Sequence, residues 1–355
     1  MNKRVRTGRQ EYVLREVALR GSVRSVDIAE RLGVSETTVR RDVIELDAQG
    51  LLARVHGGAV AVTSAKRPRA EKTLVGVVLP DTAYHFRRSV DGMNTAAAGL
   101  GARLVVAVSD FRADRERQHI ERLLALGVHG LIVSPTHRDT NDGALVDVLD
   151  GARVPVVLFE RAFDQSEQLS HFDSVRTDDV RGGMMAVEHL AQAGHRGIAL
   201  AIYDRTPTAP LIREGYERAV AHLGGAPAVY PLPKGDDDPA ALDEALAGVL
   251  DEITAQKFKA IVVHTDRHAS RLIELASDRG VRVPDDLAIV AYDDIFAEHA
   301  LVPLTAITAP RRDLGELTIR MLLERVAEQR TTRIPRHMQL LPQLTPRRSS
   351  AVSHA

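Results

Sequence analysis

The chain has 355 residues, of which 44% are hydrophobic, so it can bury large cores and should form two or three globular domains. The absence of cysteine excludes disulfides, thiolate metal sites and cysteine nucleophiles. Residues 1–72 hold 15 lysines and arginines against 9 acidic residues, a balance of +6, whereas the rest of the chain carries −7. Attraction to nucleic-acid phosphates favours such a basic N-terminal part, although chance can also produce it.

Export and membrane insertion have no support in the sequence. No apolar run approaches the ~18 to 20 residues of a membrane span. The opening Met-Asn-Lys-Arg is followed by no apolar segment of the kind that a signal peptide needs. We therefore expect a cytoplasmic protein.

The first 50 residues predict three short helices with the spacing of a helix-turn-helix core. The first helix begins near Arg9 and ends at Gly21, and the second covers residues 25–32. Gly33 can take the left-handed conformation that ends a helix, and Ser35 can cap the next helix by accepting a backbone N–H. The buried face of this third helix should be formed by Val34, Val39, Val43 and Leu46.

The opposite face of the third helix carries short hydroxyls and arginines, which suit phosphate oxygens and guanine edges. Two apolar runs, 50–55 and 59–62, flank His56-Gly57-Gly58 and predict a hairpin, or wing. An ordinary capped surface helix with a solvated charged face is the alternative. The residues predicted to bind DNA are Ser35, Thr37, Thr38, Arg40, Arg41, Arg54 and His56.

The N-terminal motifs VSETTVRRD, LDAQGL and RVHGGA together resemble the DNA-binding domain of the DeoR family of bacterial regulators. The resemblance covers residues 9–59 and implies a winged helix-turn-helix domain, to which we assign residues 1–62. Residues 63–72 are polar, basic and proline-containing, which predicts an interdomain linker. Cations of this linker could touch the DNA backbone, but linker charge is more often only solvated.

From Thr73 onward, short apolar runs alternate with helical stretches, a pattern typical of βα units and parallel sheets. Two series of predicted strands follow one another: 74–79, 104–108, 130–133 and 154–159, and then 198–203, 229–232, 260–263 and 287–292. The helices expected between them are 91–100, 115–125, 181–193, 212–223, 239–255 and 269–279. The predicted fold class is α/β, with a small winged helix-turn-helix domain and two doubly wound parallel-sheet subdomains.

Polar side chains stand just after these predicted strands. Ligands of open α/β sheets bind beyond the carboxyl ends of the strands, and carboxylates and arginines suit adjacent hydroxyl groups. An aspartate after a strand can equally be only a helix cap. The strand-end residues are Asp81, Tyr84, Phe86, Ser134, Glu160, Arg161, Asp178, Asp179, Asp204, Thr265, Asp266, Asp293 and Asp294.

At these positions the motifs VGVVLPD, VHGLIVSP, PVVLFER, HLAQAGHRGIA and VPDDLAIVAYDD resemble, in order, the effector domain of the LacI/GalR family. The resemblance covers roughly residues 73–345. It implies a periplasmic-binding-protein-like fold of two subdomains crossed by three strands, a ligand in the cleft and dimerisation through this domain. The expected limits are 73–178 with 310–333 for the N-terminal subdomain, 179–309 with 334–348 for the C-terminal subdomain, and 349–355 for a flexible tail.

The resemblance implies effector contacts from Asp293, from Arg161 and from the segment 84–86. Where the family usually has an arginine, this chain has Ile212, with Arg213 one place later. The aromatic residue that often stacks on the ligand is replaced within 235–238. The ligand's identity therefore stays open. The complete set predicted to bind an effector is Tyr84, Phe86, Ser134, Arg161, Asp178, Arg213, Thr265 and Asp293.

The sequence thus predicts a fusion of two regulator types: a DNA-binding regulator, expected to be a homodimeric repressor, controlled by a sugar or related polar metabolite. We predict no cofactor, no metal and no enzymatic activity. His264 and His268 have a metal-compatible spacing but no further local ligand. An enzyme acting on a sugar or sugar phosphate is the first alternative and would require a buried acid and base in the cleft. A transport protein is the second, and the missing signal segment and the winged domain count against it.

Overall fold

Three helices and a small antiparallel sheet form the N-terminal part of the protein. The computed structural model describes residues 8–55, 57–60, 72–82, 85–136, 143–161, 169–234, 238–328 and 334–351. The helices are α1 (Gly8–Arg20), α2 (Ser25–Leu32) and α3 (Glu36–Ala48). The strands β1 (Ser22–Arg24), β2 (Ala53–Val55) and β3 (Gly58–Val60) pair in the order β1-β3-β2. This part, Met1–Glu71, is one compact unit, and Lys72–Ala355 is the other.

The predicted helix-turn-helix is confirmed in its details. Gly33 ends α2 with a φ of 66°, in the left-handed region that glycine tolerates best. The Ser35 hydroxyl caps α3 by accepting the Thr38 N–H at 3.3 Å. The core of the unit contains Val13, Val17, Ile28, Val39, Val43, Leu46 and Leu52. Strand β1 was not predicted, because three residues carry no readable periodicity.

The second unit contains two six-stranded sheets. The N-terminal sheet is wholly parallel, in the order β14-β8-β7-β6-β4-β5. Its strands are β4 (Thr73–Leu79), β5 (Ala102–Val108), β6 (Gly130–Val133), β7 (Val156–Phe159), β8 (Asp173–Thr177) and β14 (His337–Leu340). The accompanying helices are α4 (Arg87–Gly99), α5 (Ala113–Ala125), α6 (Gly143–Asp150) and α11 (Arg311–Ala327).

The C-terminal sheet has the order β10-β9-β11-β12-β13-β15, and only β15 runs antiparallel to its neighbour. Its strands are β9 (Ile198–Ile202), β10 (Val229–Pro231), β11 (Ala260–His264), β12 (Ala288–Tyr292), β13 (Thr305–Thr308) and β15 (Gln343–Thr345). The helices are α7 (Asp179–Gln192), α8 (Ala209–His222), α9 (Pro239–Ala255) and α10 (Asp266–Asp278). Buried valine, isoleucine, leucine and alanine side chains cover both faces of each sheet, as expected for parallel strands.

The chain crosses between the two subdomains three times, as the family resemblance implies. It passes from β8 to α7, from β13 to α11, and from β14 to β15. The carboxyl ends of strands from both sheets consequently border one cleft, because Asp293 after β12 contacts His85 of the segment that follows β4.

Two of the expected subdomain limits are wrong. Residues 334–348 do not belong wholly to the C-terminal subdomain, because β14 pairs with β8 before the chain crosses to β15. Residues 349–351 are not a flexible tail: the buried Ser349 hydroxyl accepts the Thr305 N–H at 2.8 Å and donates to the Ile289 carbonyl at 2.6 Å. Both segments are short and polar, so their pairing partners could not be read from hydrophobic periodicity.

Candidate functional site

One exposed face of α3 presents the residues that were predicted to bind DNA. Thr37, Arg40 and Arg41 are exposed. Arg40 pairs with Glu36 at 2.7 Å, and Arg41 lies 3.6 Å from Glu45. Such solvent-exposed pairs between residues four apart contribute little and are easily exchanged for a phosphate or a base. Both arginines are therefore available to a nucleic acid.

The other predicted DNA-binding residues have mixed roles. The hydroxyls of Ser35 and Thr38 lie 2.8 Å apart and are engaged in the helix cap. Arg54 is exposed on β2, and its backbone N–H donates to the Asp47 carboxylate at 3.1 Å. His56 lies outside the described residues. The side chains of Thr37 and of the three arginines thus do not take part in the helix cap, whereas that of Ser35 also stabilises the start of α3.

Two apolar side chains of this surface were missed by the sequence reasoning. Ile44 on α3 is 49% exposed and Val55 on the wing is 45% exposed. With Arg40 and Arg54 they line a cleft of about 290 Å³ between α3 and the wing. Ile44 lies one helical turn after Arg40, so a pattern search for exposed apolar residues on the polar face would have found it. The surface can offer cations to phosphates and apolar contact to sugars or thymine methyls.

The cleft of the second unit is centred on Asp293. Arg311, the first residue of α11, donates from Nη2 to Asp293 Oδ1 at 3.0 Å and from Nη1 to the Asp293 carbonyl at 2.7 Å. His85 Nδ1 lies 3.6 Å from the same carboxylate oxygen. Burial tends to raise the pKa of Asp293, but His85 and Arg311 outweigh it and hold this pKa below its usual value. Asp293 therefore stays ionised as a hydrogen-bond acceptor.

His85 is the neutral partner in this group. Burial, and after it the charge of Arg311, lowers its pKa to about 4, although Asp293 opposes the shift. At neutral pH the imidazole is uncharged, so Arg311 supplies the positive charge next to Asp293. His85 lies within the segment 84–86 that the family resemblance implied, although only Tyr84 and Phe86 were named as effector-binding residues. Arg311 was missed by the sequence reasoning, since it does not directly follow a strand.

Two buried acids follow strands of the N-terminal sheet, and each is bound by a hydroxyl group. The Thr177 hydroxyl donates to Glu160 Oε1 at 2.9 Å, and the Tyr292 hydroxyl donates to Asp179 Oδ1 at 3.0 Å. Burial raises the pKa of Glu160 and raises that of Asp179 well above its ordinary value. Glu160 thus joins the ends of β7 and β8, and Asp179 joins the start of α7 to the end of β12, which is a structural function.

Three buried polar atoms at the cleft have no hydrogen-bond partner in the part of the chain that the structure describes. They are Ser134 Oγ after β6, His264 Nδ1 at the end of β11 and Arg311 Nε. An unsatisfied buried polar atom costs about 1–3 kcal/mol, so each of these atoms requires an explanation. Hydroxyl groups of a small ligand would satisfy them.

The remaining predicted effector-binding residues are placed differently. Asp178 caps α7 by accepting the Arg181 N–H at 3.0 Å, and Thr265 caps α10 through contacts with His268. Phe86 is buried against Phe159 and the ring of His85, which favours support of His85 over direct ligand contact. Arg213, near the start of α8, lines a separate cavity of about 230 Å³ together with Asp204. Tyr84 and residues 235–237 lie outside the described residues.

Within the described ranges, histidines and acidic residues do not form the groups of three or more that a metal ion needs. His268 is engaged at both nitrogens, with Thr265 and with the Pro233 carbonyl. No helix among the described residues is both long and apolar enough to cross a membrane.

A winged helix-turn-helix unit and a two-subdomain α/β unit with a polar cleft together define a ligand-controlled DNA-binding regulator. Residues 9–65 match the family model of the DeoR-like helix-turn-helix domain, and residues 187–350 match that of the periplasmic binding protein-like domain. These matches confirm a DeoR-like helix-turn-helix domain and a periplasmic-binding-protein-like domain in the chain.

Curated relatives are named as transcriptional repressors. The arabinose metabolism transcriptional repressor of Geobacillus stearothermophilus is 27% identical over 317 residues, which cover 87% of this chain and 85% of that protein. The HTH-type transcriptional repressor PurR of Edwardsiella ictaluri is 25% identical over 92% of this chain and 96% of its own. These relatives confirm the prediction of a transcription regulator.

Solved structures share the fold of the second unit. A LacI family transcriptional regulator from Mycobacterium smegmatis has a TM-score of 0.61 at 25% identity, over 78% of this chain and 98% of that one. The ribose operon repressor of Lactobacillus acidophilus has a TM-score of 0.65 at 18% identity, over 79% and 98% respectively. The predicted fold class is confirmed.

Proposed function

We propose that the protein is a transcriptional repressor that binds operator DNA through α3 and the β2–β3 wing. A sugar or related polar metabolite in the cleft sets its affinity for the operator. The observation that carries this proposal is the Asp293 carboxylate, held by Arg311 and next to His85 of the other subdomain. A ligand that binds Asp293 must exchange with these contacts, so it changes how the two subdomains are joined.

The parts of the chain are assigned in the same proposal. A DeoR-type headpiece, residues 1–62, is joined by a linker, residues 63–72, to a LacI/GalR-type effector domain. The N-terminal subdomain comprises 73–178, 310–333 and β14, and the C-terminal subdomain comprises the rest up to residue 351. The relative from Geobacillus stearothermophilus, a repressor of arabinose metabolism, supports a sugar as the class of ligand.

The test begins with DNA binding, because the protein can be used to select its own operator sequence. Purified protein selects fragments from a random duplex library, and the enriched duplex is labelled for anisotropy titrations. Sugars are then added singly, and release of the duplex is measured. Enrichment of one two-fold-related sequence, and its release by a sugar or a derivative of one, is expected.

A further measurement on the same sugars distinguishes a regulator from the alternative, a sugar-converting enzyme. Each sugar that binds is incubated with the protein and examined by mass spectrometry for conversion. Lack of any enriched sequence would overturn the assignment as a regulator. Turnover of the bound sugar would favour the enzyme that the sequence left as the first alternative.

A further inference from the structure

Arg161 is a buried arginine without an ion pair in the described part of the chain. It follows β7 and is only 8% exposed. Its Nε donates to the Pro135 carbonyl at 2.6 Å, and its Nη1 donates to the Glu160 carbonyl at 2.6 Å. Both partners are neutral backbone groups. They fix the orientation of the guanidinium but, among the described residues, provide no carboxylate partner for its charge.

Among the described residues, the three carboxylates that act on the charge of Arg161 do not form an ion pair with it, and each accepts hydrogen bonds from other groups. Glu116 accepts from the Thr136 N–H at 2.7 Å and from its hydroxyl at 2.6 Å. Glu160 is bound by Thr177 and Asp179 by Tyr292, as described above. Burial favours the neutral form of Glu160 and Asp179 by raising the pKa of each. The described carboxylates therefore balance the positive charge of Arg161 only incompletely.

The pKa of Arg161 reflects the burial of its charge. Burial lowers its pKa to about 10, against the opposing influence of Glu160, Glu116 and Asp179. At neutral pH the guanidinium remains charged all the same. Removal of a charge from water without a partner is costly, and a bound anion would repay that cost.

A second donor lies beside Arg161. Ser134 follows β6, the strand that pairs with β7, and its buried hydroxyl has no hydrogen-bond partner among the described residues. The next residue is Pro135, whose carbonyl orients Arg161. A hydroxyl and a guanidinium at neighbouring strand ends make the charge-assisted hydrogen bonds that an oxyanion prefers.

We propose that the effector is an anionic sugar derivative, whose carboxylate or phosphate is bound by Arg161 and Ser134 while its hydroxyl groups reach Asp293. This inference rests on the proposed function and narrows its class of ligand. The charge of Arg311, at the other side of the cleft, is already paired with Asp293, whereas Arg161 has no carboxylate partner among the described residues.

The test compares neutral and anionic members of matched series by titration calorimetry. One series contains D-glucose, D-gluconate, D-glucuronate and D-glucose 6-phosphate, and another contains L-arabinose, L-arabinonate and L-arabinose 5-phosphate. An acidic or phosphorylated member should bind about 10- to 100-fold more tightly than its neutral parent, the effect expected of a charged hydrogen bond. The series also distinguish a carboxylate from a phosphate.

Variants locate the effect. Arg161→Gln should remove the advantage of the anion, whereas Arg161→Lys should keep part of it. Arg320→Gln changes an exposed arginine of α11 and is the matched control, without effect. If Arg161→Gln does not fold, Ser134→Ala and the salt dependence of wild-type binding give the same information, because binding of an anion weakens at high ionic strength.

Each outcome decides the inference. Equal or tighter binding of the neutral parents overturns it, and so does failure of every anionic member to bind. Release of operator DNA by a neutral sugar would leave the proposed function standing and remove only the inference. A protein that binds no DNA at all would instead contradict the proposed function.

Discussion

Asp293 joins parts of the chain that are far apart in sequence. Its backbone amide donates to the Ile307 carbonyl at 3.0 Å, and its carboxylate receives Arg311 and lies next to His85. Its φ of 92° is rare for a residue with a side chain. Backbone strain of this kind is concentrated at functional sites, where it directs a group toward a ligand. A ligand that binds Asp293 can thus affect the contacts of both subdomains.

The first prediction tests this residue. Asp293→Asn removes the charge that accepts ligand hydroxyls, so ligand affinity should fall at least about tenfold. The loss of the partner of Arg311 should also lower the free energy of unfolding. Calorimetry with the identified ligand measures the first effect and urea titration measures the second. Asp278→Asn, at an exposed position of α10, is the control. Equal ligand affinities in folded proteins would leave Asp293 a structural residue only.

The second prediction concerns Arg40. Arg40→Ala removes an exposed cation of α3 and should weaken operator binding by about 1–3 kcal/mol if the guanidinium reads a base. If it contacts only a phosphate, the affinity for all duplexes should fall alike. The slope of the logarithm of the binding constant against the logarithm of salt concentration should then decrease in magnitude by about one.

Anisotropy titrations at several salt concentrations measure both effects. Arg15→Ala, on the exposed side of α1, is the charge-matched control. Unchanged affinity and unchanged salt dependence for Arg40→Ala would mean that α3 is not the recognition helix.

The cleft could be predicted from the sequence only in part, and the reason lies in where each residue stands. Ser134, Arg161 and Asp293 directly follow strands, so the strand-end rule finds them. His85 and Arg311 reach Asp293 through the paths of a loop and a crossing segment, which no local pattern encodes. The aspartate at 178 was predicted as a ligand, but its carboxylate caps a helix. Residue type and position alone do not distinguish a strand-end aspartate that binds a ligand from one that caps a helix.

At the scale of elements, two helix pairs depend on close backbone contact. A side chain on Gly215 of α8 would place its Cβ 2.0 Å from the Val180 carbonyl oxygen of α7. A side chain on Gly315 of α11 would place its Cβ 2.1 Å from the Ser89 carbonyl oxygen of α4. Each subdomain thus packs one helix pair through a glycine, next to a crossing segment.

The third prediction follows from this packing. Gly215→Ala should destabilise the protein by at least about 1–3 kcal/mol, because backbone atoms must move apart to admit the methyl group. Gly248→Ala is the matched control: no atom of the described residues lies within 4 Å of the added Cβ, and this position of α9 is exposed. Alanine should stabilise α9 there by about 0.5–1 kcal/mol. Urea titration compares the two, and equal effects would contradict the packing argument.

Elements with strong patterns were predicted and elements with weak ones were not. The apolar runs of β4, β6 and β12 are buried on both faces and cannot be solvated, so their sequences alone define them. The strands β8 and β14, with the sequences DSVRT and HMQL, have few apolar residues. They extend the N-terminal sheet through backbone hydrogen bonds to each other. Such pairing depends on the neighbouring strand, which lies 160 residues away in the chain for β14.

At the scale of the whole molecule, the number of subunits follows from the size of the DNA contact. One winged helix-turn-helix presents a single recognition helix and buries too little DNA for a selective site. The fourth prediction is therefore a homodimer that binds a two-fold-related operator with half-sites one helical turn, or a multiple of it, apart. Light scattering at operator-binding concentrations and footprinting measure this. A monomer that protects one isolated half-site would contradict it.

The fifth prediction concerns the coupling between ligand binding and operator binding. If ligand changes operator affinity through a coupling free energy of about 1–3 kcal/mol, the change is about 5- to 150-fold. The coupling is reciprocal, so saturating operator duplex must change ligand affinity by the same factor. Calorimetry with and without the duplex measures that factor, and anisotropy with and without ligand measures its counterpart. Asp293→Asn, which should bind ligand weakly, should need correspondingly more ligand to release DNA. Equal ligand affinities for free and DNA-bound protein would show that cleft and headpiece are independent, and the repressor would then need another signal.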